Sequence, residues 1–250
     1  MRVTTNWIFL AGTTAACLWT TRAAAQATFY QVPSGDITNA HDLYLQQQST
    51  LTDRLDFSLQ GMVGLGSNFD IGLSVYNFDL ARGGGKVHLA TNDSDRSEPF
   101  GPLVLSSLQK RFDGPSDLGL VLGVQAGPNV APLEKIRAAV RTYANLVLEF
   151  GENRRCAAGG YLTNGVFVGG ASVQAAPWIG CDIEIFDEFL EIQADWDFGA
   201  HANGAATLGP QFRISKQIGA AVAVRAPNPW AENAKWGGVL QFEVKDPFSD

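Results

Sequence analysis

No stretch of this 250-residue chain stays apolar for the roughly 20 residues that a membrane-crossing helix needs, which argues against a helical inner-membrane protein. Charge is sparse at 17% of residues and leans to one sign, with 25 Asp and Glu against 18 Lys and Arg. Without a basic stripe to displace counterions, a nucleic-acid partner is not expected. CxxC and HxxH spacings are missing among only three cysteines and three histidines, so no zinc site is legible and no cofactor or metal is expected.

What is present is a beat of two. Phe69, Ile71, Leu73 and Val75 alternate with Asp70, Gly72, Ser74 and Tyr76, and Leu190, Ile192, Ala194, Trp196 and Phe198 alternate with Glu191, Gln193, Asp195 and Asp197. Side chains on a strand point alternately to opposite faces, so each run has one apolar and one polar face. Recurrence about every twenty residues points to an all-β fold: a transmembrane antiparallel β-barrel of about twelve strands, with lipid outside and water inside. Apolar residues make up 46% of the chain yet mean hydropathy is near zero, as such even spreading requires.

At the N-terminus, Arg2 precedes the apolar residues Trp7, Ile8, Phe9 and Leu10, and Ala23, Ala24 and Ala25 before Gln26 form a small-residue cleavage pattern. Residues 1–25 read as a signal peptide, 26–41 as a periplasmic N-terminal segment and 42–250 as the barrel domain. Cys17 follows Thr14, Ala15 and Ala16 in a loose lipoprotein-like box, but Leu18 and Trp19 continue the apolar stretch against it. Cys156 and Cys181 remain after cleavage, either as a disulfide in an oxidising periplasm or as two thiols.

Strands are expected over 42–48, 54–63, 68–78, 103–111, 118–126, 136–150, 157–168, 176–185, 189–199, 205–215, 218–225 and 237–244. Links after the even-numbered strands are short and the others are free to be long, which matches short periplasmic turns and longer external loops. Phe69, Phe112, Phe150 and Phe189 fall at the periplasmic ends, and Phe78, Phe100, Phe198 and Trp236 at the external ends, where aromatic belts belong. One segment is ambiguous: Leu133, Ile136, Val140, Tyr143, Val147 and Phe150 also fit helical spacing after Pro132. As a strand it places Arg137, Arg141, Asn145 and Glu149 on one face, and parity favours the strand.

The run Thr52, Asp53, Arg54, Leu55, Asp56, Phe57, Ser58 and Leu59, followed by Gly64, Leu65 and Gly66 and by residues 69–75, resembles the outer-membrane barrels grouped as meta-pathway phenol-degradation proteins. The resemblance covers one hairpin and otherwise only rhythm. It implies an outer-membrane channel for hydrophobic or aromatic compounds and transfers no functional residue.

Pore-lining positions are those opposite the apolar face: the acids Asp56, Asp70, Glu149, Asp182, Glu184, Glu191, Asp195, Asp197 and Glu243, and the bases Arg137, Arg141, Arg213 and Arg225. Such a lumen leans acidic and favours cations if water runs through it; as paired plugs the same charges would keep a narrow barrel filled. Glu191, Asp195 and Asp197 invite a paired-carboxylate reading, but any acidic lumen strand makes the same pattern. Asp182 and Glu184 suggest calcium only as a conceivable ligand pair. His201, Ala202, Asn203 and Gly204 are similar to the His-x-Ser-Asn-Gly run of outer-membrane phospholipase A, but the serine nucleophile is missing and Asn203 with Gly204 reads as a turn. His88 reads as a solvated loop histidine. The glycine-rich stretch from Arg82 to Glu98 is the expected adjustable loop.

Taken together, these features favour an outer-membrane channel or transporter for small solutes, with membrane lipid and solute as partners, and not an enzyme. The alternatives are a rim enzyme, a plugged structural barrel, and a soluble periplasmic barrel with its apolar face turned inward. The last stays open because Asp250, not Phe, ends the chain, with Gly238, Phe242 and Val244 a partial assembly signal.

Overall fold

A computed structural model describes residues 28–92, 98–115, 117–130, 136–150, 154–170, 172–186 and 189–247. The leader, Cys17, Pro132, Leu133 and the C-terminal Asp250 lie outside the described residues. The ring consists of β1 (Leu43–Leu51), β2 (Leu55–Gly66), β3 (Phe69–Gly83), β5 (Leu103–Asp113), β6 (Leu118–Pro128), β7 (Ala138–Glu149), β8 (Arg154–Thr163), β9 (Gln174–Phe186), β10 (Leu190–Asp197), β11 (Ala205–Arg213), β12 (Ile218–Pro227) and β13 (Gly237–Lys245). Each pairs antiparallel with its neighbour in the chain, and β1 pairs with β13 to close a twelve-strand barrel. Closure leaves no exposed edge, the condition for strands to cross a membrane.

The expected strands all form, with ends shifted by a few residues in either direction. The ambiguous segment 136–150 is strand β7. Turns after even-numbered barrel strands are short: Ser67 and Asn68 both have positive φ (53° and 60°), the geometry of a two-residue hairpin that follows strand twist. The link from β1 to β2 is also short.

Two loop expectations need correction. The stretch after Ala81 is not a free loop: β4 (Lys86–Ala90) pairs with the end of β3 as an exposed hairpin beyond the ring, carrying His88 with it. The seventh expected strand, β8, ends at Thr163, not Val168, and a single helical turn, α1 (Gly165–Val168), follows. Phe100 is not a belt residue. It is fully buried against Leu103, Leu105, Ala139, Phe167 and Val168, because the chain before β5 folds into the barrel mouth beside α1.

Polarity settles which face is which. Leu59, Ile71, Leu73, Leu108, Leu122, Leu146, Val222, Val224 and Leu240 point outward and exposed, while Asp70, Gln109, Asn145, Gln193, Asp195 and Gln241 are buried inside. An apolar belt of this extent is a lipid surface, and the soluble alternative, with acids outside, has the faces reversed. Lys110 lays its ammonium 3.9 Å from the Phe69 ring and 5.4 Å from Phe112 at the short-turn rim, a cation–π seat at headgroup depth. At the opposite rim Trp196 stacks on Phe198 with centroids 4.2 Å apart. Cys156 and Cys181 sit opposite one another on β8 and β9, and their sulfurs are bonded on the outward face.

Candidate functional site

Residues 28–38, part of the segment 26–41 placed by sequence in the periplasm ahead of the barrel, run inside it. Apolar side chains explain why. Phe29 and Val32 fill a lumen pocket made by Val121, Tyr143, Val147, Ala157 and Trp178, and Tyr30 packs on Ala221, Ala223 and Val239. Two glycines make the fit possible: Gly35 has φ +83° and a Cβ there would meet Val147 at 2.4 Å, and a Cβ on Gly180 would meet the Phe29 ring at 2.2 Å.

Wall side chains then satisfy the segment's backbone, which has almost no strand partner of its own. Asp195 Oδ2 accepts the N–H groups of Tyr30 (3.0 Å), Gln31 (2.5 Å) and Val32 (2.9 Å). Both oxygens of Asp70 accept from Thr38 N–H at 3.1 Å. Gln109 donates to Asp36 O (2.7 Å) and Asn145 to Pro33 O (2.8 Å), while Trp178 Nε1 donates back to Asn145 (2.6 Å). Arg155 bridges Asp36 of the segment to Asp182 of β9.

The remaining proposed lining residues take these places. Glu149 binds Arg111 at 2.7 Å. Glu191 pairs with Arg213, which also lies 3.9 Å from Glu184. Glu243 accepts from Tyr44 (2.9 Å) and Gln211 (2.8 Å) and lies 3.4 Å from Lys245. Asp56 stands opposite Asp79 in the β2–β3 register. Arg137 lies 5.0 Å from the Phe100 ring. Arg141 donates to Gln125, and Arg225 to the carbonyls of Lys235 and Ala202. Glu191, Asp195 and Asp197 therefore serve three different sets of partners, and Asp182 and Glu184 face Arg155 and Arg213.

Sequence reading missed Arg111, Arg155 and Lys245, all inward and paired. Arg111 was legible from the parity of Gln109, but Arg155 lay before the expected start of its strand. The lumen segment itself had one signal, a cluster of apolar residues at inward positions of β6 to β9: Val121, Val147, Ala157 and Trp178.

Above the segment, toward the loops, lies a cavity of about 230 Å³ with Thr28, Tyr30 and Gln31 in its lining and Phe167 and Val168 of α1 near its mouth. His201, just ahead of the expected Asn203–Gly204 turn, joins a buried chain here. Asn203 N–H donates to Nδ1 (3.2 Å), which leaves the proton on Nε2 to face Tyr161 Oη (2.5 Å), and Tyr161 donates to Asp197 (2.8 Å). Burial, with Arg141 and Arg225 nearby, lowers the His201 pKa to about 4. An unfolded imidazole titrates near 6.5, so folding stability is intact above about that pH and declines as pH falls from there through 4. In NMR of the folded protein the His201 ring should therefore hold constant shifts from about pH 8 to 5; a midpoint near 6.5 would show a solvated ring.

No family model and no curated protein matches the chain. Among solved structures, a KdgM porin in complex with disordered oligogalacturonate aligns with TM-score 0.53 and 9% identity over 82% of this chain and 99% of that one. An OmpF of Salmonella typhi in complex with daunomycin aligns at 0.40 and 9% identity, covering 82% and 96%. A bacterial polysaccharide outer-membrane secretin aligns at 0.33 and 10% identity, covering 86% and 100%. The first of these likenesses concerns the fold, a closed antiparallel barrel.

Proposed function

We propose that this protein is an outer-membrane channel for small polar solutes whose lumen is closed on the short-turn side by its own N-terminal segment. The observation that carries the reading is Asp195, which gathers three consecutive backbone N–H groups of that segment on one oxygen. A segment held by wall side chains rather than by strand pairing can detach without breaking the barrel ladder. The lipid-facing belt and the outward disulfide support a location in the outer membrane, reached through an oxidising compartment. The KdgM porin, whose fold is similar, is described in complex with a polar saccharide.

Solute character follows from the wall. Hairpin resemblance to phenol-degradation barrels suggests hydrophobic or aromatic solutes, but the lumen positions are charged or amide-bearing and favour polar ones. The acidic excess counted from sequence is largely consumed by Arg111, Arg155, Arg213 and Lys245 and by the segment's N–H groups, so the closed state has little net cation preference. The His201 chain holds a phenol and a carboxylate but no Ser, Thr or Cys that the histidine could activate as an acyl nucleophile, so no rim-enzyme role is proposed.

Planar-bilayer recording of the refolded full chain tests the channel. Brief openings from a closed baseline are expected. Protein that is folded and inserted yet silent, with and without the segment, would instead be the plugged structural barrel.

A further inference from the structure

We infer that the loop-side cavity is a binding site for a small organic carboxylate, with Arg141 of β7 and Arg225 of β12 as its cationic contacts. Both line the same cavity, and they are only 8% and 7% exposed. Neighbouring cations are already neutralised: Arg54 by Glu98, Lys235 by Asp53, Arg155 by Asp36 and Asp182, Arg213 by Glu191. Arg141 and Arg225 form no ion pair within 4 Å among the described residues; the carboxylates that act on them from farther off are Asp197 for both and Asp56 and Asp195 for Arg225, with Asp195 spent on the segment's N–H groups and Asp56 facing Asp79. Arg141 spends Nε and Nη2 on the neutral Gln125 oxygen (3.0 and 2.5 Å), and Arg225 spends Nη1 and Nη2 on two backbone carbonyls (2.9 and 2.8 Å).

A guanidinium offers five donors, so each keeps N–H groups in reserve. The direct hydrogen-bond acceptors of both guanidiniums are neutral, so an arriving carboxylate adds charge-assisted bonds that the wall does not supply. Both side chains are fixed in advance. The Arg141 guanidinium lies 4.3 Å from the Phe167 ring centre, and the two carbonyls hold Arg225. Asp197, the acid that both arginines influence, is turned to Tyr161 Oη and Gly199 N–H at 2.8 Å each. Tyr76, Asn203 and Thr207 add neutral hydroxyl and amide groups to the same lining, and of its other acids Asp53 and Glu98 are paired with Lys235 and Arg54 while Asp56 and Asp79 face each other. They suit a carboxylate that also bears hydroxyls, such as a sugar acid. The volume falls below the roughly 300 Å³ at which drug-sized pockets begin, which limits the ligand to a small molecule.

The site's role in transport rests on the channel reading, but its occupancy does not, so binding is measured without current. Isothermal titration of the refolded full chain in detergent with D-gluconate, and with D-sorbitol as the uncharged control, is the experiment. Gluconate should bind and sorbitol should not, and Arg141→Gln and Arg225→Gln should each weaken gluconate by about tenfold or more. Arg225→Lys, which keeps the charge, should retain part of the affinity and guards against a folding defect; heat-modifiable gel migration verifies folding of each variant. Equal binding of the two probes, no gluconate binding by folded protein, or folded Gln variants that bind gluconate as the parent does would each overturn the site, while leaving the conductance test to decide the channel.

Discussion

A chain that begins at residue 39 is expected to carry a steady ionic current where the full chain should show only brief openings. Twelve strands enclose a lumen wide enough for a water path once nothing fills it, and residues 28–38 are what fills its short-turn half. Their removal does not touch the ladder, since the segment's one bridge to the wall, Ala40 with Gly64, is retained. Nor does it strand charges in a dry site, because water replaces the lost partners of Asp70 and Asp195. Time-averaged conductance should rise by about tenfold or more, with a reversal potential under a salt gradient that shifts toward cations, because acidic side chains then face the water path. Recording both proteins in planar bilayers checks this. Equal currents would remove the segment as the closing element, and a folded, inserted but silent truncation would leave no channel to close.

Asp195→Ala should produce much of the same opening without shortening the chain. Its carboxylate accepts three backbone N–H groups that have no other acceptor nearby. Charge-assisted bonds contribute about 1.5–3 kcal/mol each, and sharing one oxygen makes them less than additive. A loss of about 3 kcal/mol in segment docking corresponds to roughly a hundredfold rise in the detached fraction. Asp195→Asn keeps an acceptor oxygen and loses the charge, so its opening should fall between the two. Both are read as open probability in single-channel records. If Asp195→Ala folds and gates like the parent, the segment is held by Arg155 and the apolar contacts of Phe29 and Val32 instead.

Arg155 differs in kind from Asp195 because it ties the segment to the wall through two carboxylates. Asp36 comes from the segment and Asp182 from β9, and all three groups are buried together. One residue thus couples the docked segment to the disulfide-linked strands β8 and β9, where Cys156 is the neighbour of Arg155 and Cys181 that of Asp182.

Sequence alone determined the barrel. A period of two dictates which side chains share a face, so the strands and their parity follow from residues read along the chain. Short turns at alternate links placed both chain ends of the barrel on one side. Tertiary structure alone decided what the inward residues meet. Partnerships such as Arg213 with Glu191, or Tyr161 with Asp197 and His201, depend on register between strands and on loops that carry no period. The segment 28–38 has no alternation to mark it as strand, and it enters the lumen because Phe29, Tyr30 and Val32 find apolar pockets that exist only after six or more strands have closed around them. Phe100 and α1 turned inward for the same reason: burial is a property of the assembled ring, whereas alternation is a property of each strand.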